Sequence, residues 1–197
     1  MKNSTKLIIT MVFTFFFYTL ISNPNITSTV FLSSITLCLF YGVANKEVNL
    51  IHISLFSSTL YIAEYITIDF YYDFLLNNLS SKVLIGTFYY GYQIKFSIIA
   101  FFIFILRVQI SRTISNSKKI KLTPFDNIMP WIYIYNTIIA TLHTIDFYIN
   151  EIYEIKTLSF FYSFYEELIY LGMTMVVTLL FSMIIYHKKE LEAPNYH

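Results

Sequence analysis

The chain is poor in the residues that make turns, helix breaks and covalent frameworks. Its 197 residues include four glycines, four prolines, one cysteine and one tryptophan, and only 13% are charged. The single cysteine, Cys38, excludes an intrachain disulfide framework, and its place inside an apolar run reads as a small buried residue. So few glycines and prolines argue against the broken helices on which alternating-access carriers rest. Pro130 alone falls in a span, in its first turn, where proline is tolerated. There is no GxxxG spacing, glycine-rich phosphate loop, nucleophile elbow or HExxH word. His52, His143, His187 and His197 supply no pair at matching depth on two helices, so no haem or metal centre is expected. These absences point to a non-enzymatic protein without a cofactor, packed through bulky faces rather than close glycine contacts.

What is present is apolar surface. Hydrophobic residues make up 56% of the chain and aromatic residues 20%, while its charged share is about half the roughly 25% of a soluble domain. Six apolar runs follow one another, at 7–22, 28–44, 48–68, 84–107, 128–146 and 168–186. A helix needs about 20 apolar residues to cross a bilayer, so six crossings use about 120 residues. That leaves no room for a second, soluble domain. The expectation is an all-α polytopic bundle forming one transmembrane domain over 1–197. Lys2 and Lys6 precede the first run, but Ile21-Ser22-Asn23-Pro24-Asn25 offers no small-x-small cleavage site, so this run reads as a retained span. The first hairpin is the shortest, and the alternative is four spans with a re-entrant N-terminal hairpin.

Charge supports the count. With six crossings and both termini cytoplasmic, Lys2, Lys6, Lys46, Arg107, Arg112, Lys118, Lys119, Lys121, Lys188 and Lys189 fall on the cytoplasmic side. Lys82 and Lys156 face outward and Lys95 lies within a span, so the positive-inside rule is met. Asp69, Asp73, Asp146, Glu151, Glu154, Glu166 and Glu167 collect at the outer face, so a net charge of +1 hides a polarised molecule. The reading places the chain in the inner (plasma) membrane.

A word repeats within the chain. Thr67-Ile68-Asp69-Phe70-Tyr71 recurs as Thr144-Ile145-Asp146-Phe147-Tyr148 at the outer ends of the third and fifth runs, which suggests a duplicated hairpin, 48–107 and 128–186. A carboxylate where an outward-running helix ends opposes the helix dipole, so a break is expected near Asp69 and Asp146. Beyond Asp146 the chain is rich in aromatics. Tyr148, Phe161, Tyr162 and Tyr165, with the two aspartates, form either an aromatic belt at headgroup level or an outer recognition surface.

Two ionisable groups fall within spans, where each costs at least about 2.5–3.5 kcal/mol. Glu64 and Lys95 lie on neighbouring helices of a hairpin and are expected to neutralise each other. On the cytoplasmic side Arg107, Arg112, Lys118, Lys119 and Lys121 occur without an acid between them. They set topology, attract anionic lipid, and offer a docking site for an acidic cytoplasmic protein. Direct nucleic-acid binding is not expected. The tail, Lys188-Lys189-Glu190-Leu191-Glu192, continues the last span as helix.

In length, scarcity of small residues and multispan layout the chain resembles the membrane subunits of bacterial antiphage defence systems, most of all the KwaA-like subunit of Kiwa. Four spans are usual in that family, which the six runs match only if the first hairpin does not cross. The resemblance implies a homo-oligomer in the inner membrane that senses envelope disturbance and holds a cytoplasmic effector. It assigns no residue a role, since it is one of layout alone. The expected function is that of a sensor or scaffold. A small channel or carrier subunit, or an immunity protein against a pore-forming toxin, are the alternatives.

Overall fold

A computed structural model describes residues 24–154 and 159–192, and every regular element among them is helical. Helix α1 spans Pro24–Asn45, α2 Val48–Asn78, α3 Lys82–Ile105 and the short α4 Arg107–Ile114. After a 3-10 turn at Pro124–Asn127 come α5, Met129–Tyr153, a single turn α6, Phe160–Ser163, and α7, Tyr165–Glu192. The expected first span, 7–22, and Lys156 lie outside the described residues.

Among the described residues, four helices are long and apolar enough to cross a membrane: α1, α2, α3 and the Tyr165–Leu191 part of α7. Only 11% of the apolar window of α3 is buried in the protein. Such a surface, with Leu37, Phe40, Phe70 and Phe102 exposed around the outside, suits a hydrocarbon solvent. The expected fifth span, 128–146, is helical as part of α5, but Asn136, Thr137, Thr141, Thr144 and Asp146 make it more polar than the other four. It packs along α3 more extensively than any other pair of helices.

The five long helices close into a ring, with α1 against α2, α2 against α3, α3 against α5, α5 against α7 and α7 back against α1. One end of the ring carries Asp69, Asp146 and Glu166, and the other carries Arg107, so we call them the acidic and basic ends. Toward the basic end the ring is filled by Ile35, Cys38, Leu50, Phe104, Ile132 and Leu180, all buried. Phe104 stacks on Tyr133 with ring centroids 5.1 Å apart, which closes this plug from the acidic side. Toward the acidic end the ring is hollow.

One of the connections at the basic end is tight. Between α1 and α2, the Glu47 N–H donates to Gly42 O at 2.9 Å and the Lys46 N–H to Val43 O at 3.2 Å. This is a Schellman turn with Lys46 left-handed at φ 54°, where glycine is the usual residue. The last helix continues through Lys188 and Lys189, as its sequence implied.

Two expectations are corrected. No helix breaks at the repeated aspartates, since α2 runs nine residues beyond Asp69 and α5 seven beyond Asp146. Aromatic packing holds the α2 extension as helix: Tyr71 stacks on Tyr92 at 4.5 Å and Tyr72 meets Tyr89 edge-on at 5.5 Å. Close glycine contacts also matter, although no GxxxG word exists. A Cβ added at Gly86 would lie 2.3 Å from the Phe147 ring, and one at Gly172 would lie 2.1 Å from Asn136 Oδ1. Both glycines therefore let a side chain of α5 press on a neighbouring backbone.

Candidate functional site

The hollow half of the ring is a cavity of about 350 Å³ to which all five long helices contribute. Its size falls in the range of small-molecule pockets, roughly 300–1,000 Å³. Tyrosine dominates the wall: Tyr61, Tyr65, Tyr89, Tyr133, Tyr165 and Tyr170, joined by Phe31 and Phe96. The helical period explains why α3 lines it so well, because Tyr89, Gln93, Phe96 and Ala100 recur every three or four residues on one face. Exposed Pro24, Asp69 and Glu166 form the rim at the acidic end. The plug around Phe104 makes the cavity a cup rather than a pore.

Glu64 stands on the cup wall, one helical turn from Tyr61. Among the described residues its carboxylate has no hydrogen-bond or ion-pair partner. The expected pair with Lys95 does not form. Lys95 is two residues from Gln93, about 200° around the helix, and so points away from the cup. Its side chain is exposed, with Nζ 5.8 Å from the centre of the Tyr92 ring.

At the rim, the expected outer-face residues separate into four groups. Asp146 and His143, one turn apart on α5, both grip Phe161: the Phe161 N–H donates to Asp146 Oδ2 at 3.0 Å, and His143 Nδ1 bonds Phe161 O at 3.0 Å. The buried His143 ring stacks on Tyr165, centroids 4.0 Å apart, and its Nε2 has no partner among the described residues. Tyr148 and Tyr162 are exposed, as a surface role requires. Tyr165 is instead an inward residue. Its hydroxyl donates to Gln93 Oε1 inside the cup wall, because the first turn of α7 is rotated onto α3 and α5. Asp69, the repeat partner of Asp146, belongs to the cup rim and holds no loop.

The basic end contains a second constellation, which corrects the role expected for Arg107. This residue is completely buried and forms a two-pronged ion pair with Asp126, with Nε to Oδ1 at 2.6 Å. Arg107 Nη1 donates to Asn49 Oδ1 at 3.0 Å and Nη2 to Lys121 O at 2.9 Å. Asp126 also accepts the Thr123 N–H and hydroxyl, at 2.6 and 2.7 Å, in a capping box that opens the 3-10 turn. Asn49 donates in turn to Lys119 O at 3.2 Å. A buried guanidinium satisfied in this way cannot dock a partner. It fastens the α4–α5 connection to the start of α2 instead.

The other four cations stay available. Arg112, Lys118, Lys119 and Lys121 are exposed, and none takes part in an ion pair among the described residues. Sequence reasoning missed Asp126 and Asn49. The signal for Asp126 was present in Thr123-Pro124-Phe125-Asp126, a capping box with proline in its first turn.

No protein-family model, curated protein or solved structure matches this chain.

Proposed function

We propose that the chain is a polytopic inner-membrane protein that acts as a sensor or scaffold and has no catalytic activity of its own. Its acidic end faces the exterior and its basic end the cytoplasm. The observation that supports this best is the basic connection, held in one shape by buried Arg107 and Asp126 while Arg112, Lys118, Lys119 and Lys121 stand free. Cations fixed in advance lose less freedom on docking, and their field steers an acidic protein toward the membrane. Anionic lipid adds about 1 kcal/mol per basic residue near its surface, which keeps the same face against the bilayer. The cup provides the sensing half of the function. The layout shared with the Kiwa membrane subunit suggests a homo-oligomer and a cytoplasmic defence effector as the partner.

The test replaces Arg112, Lys118, Lys119 and Lys121 together by serine in the full chain. Membrane insertion is expected to persist, while a soluble protein that copurifies with the wild type is lost. Equal retention by both would overturn the docking role. Lys118→Cys, labelled with a membrane-impermeant reagent, checks orientation, and labelling from outside intact cells would reverse it.

A further inference from the structure

We infer that the cup binds an organic cation, a quaternary or protonated amine carrying apolar substituents. Charge argues this first. Glu64, Asp69 and Glu166 line the cavity, and among the described residues no lysine, arginine or histidine does. The nearest lysine along α3, Lys95, points to the outside of the ring. The field inside is therefore negative, and an anionic ligand would find no counter-charge.

The unpartnered Glu64 carboxylate argues it a second time. A carboxylate on the wall of a bundle's cavity normally has an ion pair or several hydrogen-bond donors, and the described residues supply neither. A ligand or water would complete it. A metal ion would need further oxygen ligands converging on Glu64, but tyrosine rings stand around it. Those rings suit a soft cation. Tyr61, Tyr89, Tyr133 and Tyr165 line the same cavity as Glu64, and an ammonium over such faces gains cation–π attraction without hydrogen-bond donors of its own. Phe96, Ile169 and Met173 then provide the apolar surface for its substituents.

Whether the cation binds is independent of the sensor reading, but what binding accomplishes rests on it. The experiment uses the full chain in detergent and benzyltrimethylammonium as the probe, followed by calorimetry. Saturable binding is expected. Choline should displace the probe at least about tenfold better than 3,3-dimethylbutanol, its uncharged carbon isostere. Glu64→Gln should weaken binding by at least about tenfold, since it removes the charge and keeps the shape. If that variant does not fold, the isostere comparison on the wild type decides alone. Equal displacement by choline and its isostere, unchanged binding by folded Glu64→Gln, or no saturable binding in the millimolar range would each overturn the site. Binding that leaves partner retention at the basic face unchanged supports the site and removes its sensing role. Retention that depends on the four basic residues while no cation binds removes the site alone.

Discussion

The Asp146 carboxylate accepts the backbone N–H of Phe161 at 3.0 Å, and His143, one turn earlier on α5, bonds the carbonyl of the same residue. Two side chains at a spacing of three thus satisfy both backbone groups of one residue of the single turn α6. They pin the segment before α7 to α5, and with it Tyr165 in the cup wall.

This clamp predicts a local effect. A hydrogen bond to a charged group contributes about 1.5–3 kcal/mol, so Asp146→Ala should speed amide exchange at Phe161 by roughly ten- to a hundredfold. Exchange in the middle of α3 should not change. Unaltered protection at Phe161 would show that the loop is held by its aromatic contacts alone.

At the opposite end, Asp126→Ala strands the buried Arg107 guanidinium, and the expected loss of stability is about 3–5 kcal/mol. Thermal unfolding in detergent measures it. Replacing both partners by apolar residues, Arg107→Met with Asp126→Leu, should recover much of that loss, because no charge is left buried. A double variant as unstable as Asp126→Ala would mean that the bonds to Asn49 and Lys121, not the ion pair, carry the stability.

Gly86 gives a packing test. Its Cα faces the buried Phe147 ring, and Gly86→Ala should destabilise the α3–α5 interface by about 1–3 kcal/mol through overpacking. Phe147→Leu should relieve it, so that the double variant is more stable than the sum of the two single losses implies. Strict additivity would place the added methyl elsewhere.

The helices were legible in the sequence because apolar runs of bilayer length have few other solutions. Runs 28–44, 48–68, 84–107 and 168–186 correspond to α1, α2, α3 and α7. The end of α2 was not legible. Local charge at Asp69 argued for a break, but the ring contacts of Tyr71 and Tyr72 with α3 override it. Glu64 was visible as an intramembrane carboxylate, and its pairing with Lys95 was misjudged because depth was considered without rotation. The positions lining the cup on α3 recur at helical spacing and leave Lys95 on the far side. Arg107 looked like its basic neighbours for a different reason. Its partners Asn49 and Asp126 lie 58 and 19 residues away, and only the folded chain brings them together.

Helix α2 is too long for the layer it is suited to cross. Its 31 residues extend about 46 Å, and fitting them into a hydrocarbon core of about 30 Å would need an inclination of about 50°, beyond the roughly 40° limit of observed tilts. The surplus must stand outside the hydrocarbon core. On the side where the cup opens, the α2–α3 tip at Asn77 to Ser81 lies more than two helical turns beyond the rim residue Asp69, braced by the tyrosine pairs beneath it and by Lys82, which bonds Glu151 of α5 at 3.0 Å. Along α2 the braced tip, not the rim, is therefore the outermost point on that side of the cup.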